Sequence, residues 1–335
     1  MILARTPFRA TLGGGGTDLP SYYSKHGGFL FAMAIDKYMY VAVNQPVLDR
    51  KIRVHYTKIE TADNPDQLQH DLARETLKYL GVLEKMEISS MADLKAGASM
   101  GSTSCYTVAL LSALRHHLGL SISPQEMAEE AFAIEYETLG MTVGKQDPYL
   151  AAYGGMTVLD ITPDGVVQVR QAKTNPSTIG DFVANTRLYY TGIQGGVTEV
   201  LKHQDQAMRE SSLPGHETVQ DSLHAIREIG YSVLESIETE NYDEFGRLMD
   251  KHWEYKKVMS AKINIPGIDE LYRLIRDRFG VLGCKVSGAG GGGFFMVYAP
   301  KKHSDLDEFM QRHGLTRMDY QLDDGGARVL HPPVE

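Results

Sequence analysis

Arg9 and Asp18 flank four consecutive glycines in the segment Arg9-Ala-Thr-Leu-Gly-Gly-Gly-Gly-Thr-Asp18. Residues without a Cβ let a ligand approach the main chain closely and leave positive φ open. With a cation before the run and a hydroxyl acceptor after it, Gly14, Gly15, Gly16, Thr17 and Asp18 form a candidate substrate-binding loop. The segment also reads as a mobile turn between strands. It holds no full G-x-G-x-x-G leading into a helix, so dinucleotide binding is weakly supported.

A second candidate runs through Gly97, Ala98, Ser99, Met100 and Gly101 into Ser102, Thr103 and Ser104 at the start of a helix. Small residues ahead of a helix N-terminus expose unpaired amides and the positive end of the helix dipole, the physical basis of phosphate loops. The three hydroxyls add donors and a Mg²⁺ contact. This is not a Walker loop, because no Gly-Lys-Ser/Thr ends it. A Ser/Thr-rich helix start can equally be structural.

Glu135 and Asp147 form the third candidate. The first falls on a helix and the second just beyond its end, so the pair can converge on one pocket. One would hold a metal and one would contact a substrate hydroxyl. Against this, a helical Glu is commonly solvated, and Asp before Pro is commonly a turn former or helix cap. In the fourth candidate, Ser287 is followed by Gly288, Ala289, Gly290, Gly291, Gly292 and Gly293. The amides of that loop either contact a ligand or pack closely on another backbone. The 12 histidines are scattered without an HExxH motif, and His116-His117 reads as helix surface. No G-x-S-x-G elbow supports a hydrolase. Trp253 and Tyr255 read as packing residues.

The elements that must position these residues are legible from periodicity. Residues 29–45 are apolar, aromatic and β-branched, with a turn expected at Ile35-Asp-Lys-Tyr, and Ile52 to Tyr56 alternates as a half-buried strand. A helix is expected from Asn64-Pro65-Asp66, with Leu68, Leu72, Thr76, Leu77 and Leu80 on one face and Gly81 ending it. A second runs from about Ser104 to Gly119. A third begins at Ser123-Pro124-Gln125-Glu126, where Ser123 and Glu126 suit a capping box, and persists to about Thr138. Strands follow at Met156–Ile161, Val166–Gln171 and Arg187–Thr191. Helices are expected over 194–210, 217–239, 242–260, 267–279 and 304–313. The remaining strands fall at Cys284–Ser287, Phe294–Ala299 and Ala327–His331. Strands and helices mixed without regular βα alternation favour an α+β class.

Composition sets the wider limits. With 42% hydrophobic and 23% charged residues, the 335-residue chain is too apolar for disorder. At roughly 100–200 residues per domain, two domains are expected, and the polar stretch 173–181 divides them into 1–180 and 181–335. A net charge of −9 argues against nucleic-acid or anionic-membrane partners, while leaving room for a local phosphate pocket. Two cysteines, Cys105 and Cys284, are too few for a disulfide framework or a Cys-based zinc site. The start lacks a signal-peptide pattern, and no apolar run approaches the ~20 residues that span a bilayer. A cytoplasmic location is expected, and self-association into a homodimer stays open.

In combination and in order, these segments resemble the GHMP kinases, the family of galactokinase, homoserine kinase, mevalonate kinase and phosphomevalonate kinase. The likeness covers nearly the whole chain. Arg9 and Asp18 match an Arg nine residues before the Asp that binds the sugar in galactokinase-like members. The family's phosphate loop maps onto Lys95-Ala-Gly-Ala-Ser-Met-Gly-Ser-Thr103, with Lys95 at the usual proline and Ser99 at a usual glycine. Its Mg²⁺ ligand maps onto Glu135, its catalytic aspartate onto Asp147, and its third motif onto residues 287–293. Gly-Gly-Gly-Thr-Asp and Val-Gly-x-Gln-Asp-Pro-Tyr are similar to the branch of D-glycero-D-manno-heptose 7-phosphate kinases, which phosphorylate the anomeric hydroxyl.

The resemblance implies a two-domain α+β fold of mixed sheets with helices packed on one face and the active site in the cleft between domains. It implies ATP as co-substrate, bound by Lys95 and Gly97 to Ser104, and Mg²⁺ held by Glu135 with Ser102 or Thr103. Asp147 would accept the hydroxyl proton, with Arg9 keeping its charge and stabilising the charge that develops. The two dense glycine clusters, with Gly288, Ala289, Gly290 and Gly291 in the second, would be two walls of the substrate pocket. The acceptor's own phosphate calls for further cations, for which Lys25, Lys145, Arg53 and Lys285 are available. The alternatives are a kinase for another sugar or a mevalonate-type alcohol, and a non-catalytic sugar or nucleotide sensor on the same scaffold.

Overall fold

The computed structural model describes residues 1–95, 97–193, 197–210, 217–259, 263, 267–288, 290–301 and 303–330, without the side chains of 197, 198 and 217. The chain begins β1 (Ile2–Gly13), α1 (Pro20–His26), β2 (Gly28–Asn44), β3 (Ile52–His55), β4 (Ile59–Ala62), α2 (Asp71–Tyr79), β5 (Met86–Ala92), α3 (Ser102–His117) and α4 (Pro124–Phe132). It continues through α5 (Gln146–Tyr153), β6 (Met156–Ile161), β7 (Val167–Gln171), α6 (Ile179–Asn185), β8 (Thr186–Tyr190), α7 (Val197–Arg209), α8 (Glu217–Glu238) and α9 (Tyr242–Val258). The last elements are α10 (Ile268–Phe279), β9 (Gly283–Val286), β10 (Phe294–Tyr298), α11 (His303–Arg312), β11 (Thr316–Met318) and β12 (Arg328–Leu330).

Among the described residues, eight strands form one sheet and β11-β8-β10-β9 form a second. The antiparallel pair β1–β2 organises the first. No turn occurs at Ile35-Asp-Lys-Tyr; β2 is a single strand of 17 residues. Pro7 pairs with Tyr38 and Phe8 with Ile35, so Asp36 and Lys37 bulge where the proline has no N–H to offer. The bulge divides β2 into two arms: residues 39–44 pair with β5 and residues 28–33 with β6.

The helix expected from Asn64 is broken. Pro65–Gln67 forms one 3-10 turn, capped by the Asn64 side chain, and α2 starts only at Asp71, capped by His70. Leu68 between them is extended and 1% exposed, so burying that side chain outweighs helical continuity. Ser123 and Glu126 do form the expected capping box on α4. The last turn of that helix, Ala133–Thr138, widens to π geometry. Elsewhere α3 is buried from Ser104 to Leu114 and packs on β1 and β2, as a helix apolar on all sides should.

The two sheets are joined. One apolar core holds Phe29 and Ile134 together with Val233, Phe245 and Met296, and β12 returns from the chain end to pair with β1. Trp253 is buried as expected, but Tyr255 is 44% exposed, because it faces outward from α9. Cys105 and Cys284 are buried free thiols. Among the described residues, no helix is long and apolar enough to cross a membrane.

Candidate active site

A cleft of about 510 Å³ opens between the two halves of the chain. The first half lines it with Arg9, Gly15, Gly16, Asp18, the loop and helix start around Gly101, residues 139–144, Gln146 and Asp147; α7, α9 and Gly288 close it from the second half. At its centre lies an ion pair between segments 138 residues apart. Arg9, on β1, donates from Nε to Asp147 Oδ1 (2.7 Å) and from Nη2 to Asp147 Oδ2 (3.1 Å). Its Nη1 donates to the Ser99 carbonyl (2.8 Å). Asp147 is in the first turn of α5, an element periodicity did not indicate, and its side chain is 31% exposed against 8% for Arg9. A planar guanidinium held at three points is a rigid support; it leaves the open side of the carboxylate to the cleft.

Gly101 precedes α3 in a left-handed conformation and provides no side-chain cap. The first amides of α3 therefore lack both an intrahelical partner and a cap, and they begin beside Asp147. A helix start of this kind in a cleft is chemically suited to an anion. Of the residues expected there, Gly97, Ser99, Gly101, Ser102, Thr103 and Ser104 line the cleft. Lys95 is instead exposed outside it, and Ala98 and Met100 are buried in the core, where they anchor the loop. Ser99 adopts φ +61°, the left-handed region glycine favours, which directs its carbonyl to Arg9.

Asp18 accepts from the amides of Gly16 (3.1 Å) and Gln146 (3.0 Å), and burial pushes its carboxyl above the usual range. Gly15 and Gly16 line the cleft beside it. Gly14 packs on the Phe29 main chain, and the fully buried Thr17 hydroxyl lies against the Gly14 and Phe29 carbonyls, so both shape the loop rather than face a ligand. A Cβ on Gly144 would overlap Asp18 Oδ2, so this glycine permits the approach of the two loops.

The second glycine cluster is mainly a buttress. Gly288 reaches the cleft, but a Cβ on it would overlap the Ser99 carbonyl, and one on Gly293 the Ala98 carbonyl. Gly290 faces Ile263 and Lys256, and Gly291 is not among the lining residues. Ala289 lies outside the described residues.

Glu135 is fully buried behind the start of α3, in the π turn, where its Oε2 accepts from Ser104 Oγ (2.7 Å). Burial pushes its carboxyl up to about 7; the Ser104 and Thr107 hydroxyls oppose the shift and the charge of Asp147 adds to it. Asp147 lines the cleft whereas Glu135 is buried behind it, and Ser104 rather than Ser102 or Thr103 is in contact with Glu135. Its Oε1 is buried without a hydrogen-bond partner among the described residues. An orphaned carboxylate oxygen beside an uncapped helix start fits a hard divalent cation. Among the described residues no group of three His, Cys, Asp or Glu gathers for a metal, so phosphate oxygens and hydroxyls would complete the shell.

None of the four cations expected for an acceptor phosphate lines the cleft. Lys145 is paired with Glu129 and Arg53 with Asp49, while Lys25 donates to the Met208 carbonyl and Lys285 to that of Leu12. The cleft is instead lined by Lys202, on α7, and Lys256, on α9. Neither stands in a recognisable motif, and only the packing of helices against the glycine loops brings them in.

Residues 68–155 match the GHMP kinases N terminal domain and residues 233–313 the GHMP kinases C terminal region. The chain belongs to the GHMP kinases. This kinase is 25% identical over 333 residues to the D-glycero-alpha-D-manno-heptose 7-phosphate kinase of Campylobacter jejuni, covering 93% of this chain and 94% of that one. It is 24% identical over 329 residues to a mevalonate kinase of Pyrococcus furiosus, covering 91% and 92%. The solved D-glycero-D-manno-heptose 1-phosphate kinase from Bacteroides thetaiotaomicron shares its fold, with a TM-score of 0.81 over 100% of both chains at 22% identity. The protein is therefore a small-molecule kinase of α+β fold that uses ATP as co-substrate.

Proposed function

We propose that this kinase transfers the γ-phosphoryl group of ATP to the anomeric hydroxyl of a heptose 7-phosphate, giving a 1,7-bisphosphate for nucleotide-heptose synthesis. The observation that carries the reading is the Arg9–Asp147 pair set against the start of α3, with Asp18 in the same cleft. The Campylobacter jejuni relative supports the choice of acceptor. The polar lining of Arg9, Thr11, Asp18, Gln146 and Gln204 suits a hydroxyl-rich acceptor better than an isoprenoid alcohol.

In this mechanism the α3 amides and the loop from Gly97 hold the nucleotide phosphates. Asp18 and the amides of Gly15 and Gly16 hold sugar hydroxyls. Asp147 takes the proton of the anomeric hydroxyl as its oxygen bonds to the γ-phosphorus and the bond to the bridging oxygen breaks, releasing ADP. Arg9 keeps Asp147 oriented and faces the developing negative charge. Positioning and electrostatics carry such a transfer. Glu135, with the hydroxyls of Ser102, Thr103 and Ser104, would hold Mg²⁺, which neutralises phosphate charge when bound. Lys202, which lines the cleft from α7, is the cation assigned to the acceptor's own phosphate.

Two further points belong to this reading. The division into units 1–180 and 181–335 is supported by the strand order as far as β11, since β1–β7 lie in one sheet and β8–β11 in the other, with β12 crossing back to pair with β1. The cytoplasmic location is supported by the two reduced, buried cysteines.

The test is an ATP/Mg²⁺ assay over a panel of sugars and sugar 7-phosphates, run beside Asp147→Asn. Turnover should be confined to phosphorylated heptoses, and Asp147→Asn should lower kcat by ~10²–10⁴-fold, the span of a lost general base. Turnover of no sugar at all would defeat the kinase reading, and full activity of Asp147→Asn would defeat the role of the base.

A further inference from the structure

Lys256 is in the cleft wall, and no step above uses it. It is 7% exposed, its Nζ donates to the Gly288 carbonyl, and no carboxylate pairs with it among the described residues. Behind it stands Lys285, 1% exposed, whose Nζ donates to Leu12 O (2.7 Å) and lies 3.5 Å from His252 Nδ1. On its cleft side are Arg9 and Asp18. Arg9 is already matched by both oxygens of Asp147, and those of Asp18 are engaged by two amides. The floor of the cleft thus holds buried basic groups with no anion of their own. An unpaired buried cation is costly, and such costs concentrate at functional sites.

We propose that Lys256 is a catalytic residue, its Nζ binding the phosphoryl group in transfer as a second cation beside Arg9. The inference rests on the kinase reading above. Its geometry distinguishes it from Lys202. The Gly288 carbonyl that Lys256 contacts belongs to the turn packed on Ser99, and the Ser99 carbonyl in turn holds Arg9. Lys256 therefore belongs to the run of contacts joining the phosphate loop to the catalytic pair, whereas Lys202 is an exposed residue of α7 at the cleft wall. Lys256 forms no bond to phosphorus; it stabilises the charge on the equatorial oxygens, which is where a cation lowers the barrier.

The electrostatics give a signature that a merely structural lysine lacks. Burial pushes Lys256 down to about 7; Arg9 reinforces the shift and Asp18 opposes it. Lys285 and His252 also face it, each pushed down by burial and by neighbouring cations. An arriving phosphate favours the ammonium form, so binding of a nucleoside triphosphate at pH 8 should draw a proton from solvent.

Calorimetric titration of ADP and of the β,γ-imido analogue of ATP, in buffers of different ionisation enthalpy, tests this with the wild type, Lys256→Met and Lys256→Arg. In Lys256→Met the analogue should bind about tenfold more weakly, with ADP affinity kept, no loss of thermal stability and proton uptake gone. Its kcat should fall ~10²-fold with acceptor KM little changed. Lys256→Arg should regain analogue affinity without proton uptake. Wild-type affinity and kcat in Lys256→Met would overturn the proposal, as would equal losses for ADP and the analogue. A wild type that binds nucleotides yet phosphorylates no acceptor defeats the kinase reading instead, while the titrations still decide whether Lys256 binds the terminal phosphoryl group.

Discussion

At the scale of single residues, the site depends on close approaches that admit no added atom. Gly144 is the sharpest case, since a Cβ there would overlap the Asp18 carboxylate. Gly144→Ala should displace Asp18 and lower kcat/KM for the sugar by at least about tenfold, because small misplacements of a positioning group are costly. ATP affinity should stay unchanged, which separate titrations of nucleotide and acceptor would verify. Lys202→Ala addresses the other end of the acceptor. Loss of a charge-assisted hydrogen bond worth ~1.5–3 kcal/mol should raise KM about tenfold or more for heptose 7-phosphate and leave it unchanged for the unphosphorylated sugar. Equal effects on both acceptors would remove Lys202 from the phosphate subsite. Arg9, Asp18, Glu135 and Asp147 were legible in the sequence because motifs fix their spacing. Lys202 and Lys256 were not, because each lies on a helix whose own pattern reports only which face is buried.

At the scale of elements, loops are held by loops. The turn between β9 and β10 packs main chain to main chain on the loop before α3, with Gly288 at φ +65° over the Ser99 carbonyl. Gly288→Ala should therefore destabilise the fold by ~1–3 kcal/mol, the usual cost of overpacking, and weaken ATP binding with it. Denaturant unfolding beside nucleotide titration would separate this from a direct substrate contact, which would change KM for the sugar alone. Periodicity recovered the long helices α8, α9 and α10 to within a few residues. It failed at α5, whose eight residues are too few to show a period and are buried at six positions. It failed also at β2, where a bulge opposite Pro7 imitated a turn.

At the scale of the whole molecule, the cleft stores electrostatic cost. Lys256 is pushed down from 10.5 to about 7. Between those values the unfolded chain holds a proton that the folded chain has lost, so stability rises with pH across that window. Below about pH 7 both states are protonated and the full cost of the buried ammonium remains. Lys256→Met should accordingly be more stable than the wild type near pH 7, with the gap closing toward pH 10. Lys285 retains a slope of the same sign in the variant. Denaturant unfolding at pH 7, 8 and 9 measures both slopes, and parallel slopes would contradict the assignment.

The sequence by itself determined the family, the α+β class, the capped helices and the acidic and basic residues of the motifs, because those depend on local spacing. Tertiary structure alone decided that Ser104 meets Glu135, that the second glycine cluster supports the loop before α3, and that Lys202 and Lys256 enter the cleft. Each of these is a contact between segments far apart in the chain. Such contacts follow from how the sheets and helices pack, which no local pattern encodes.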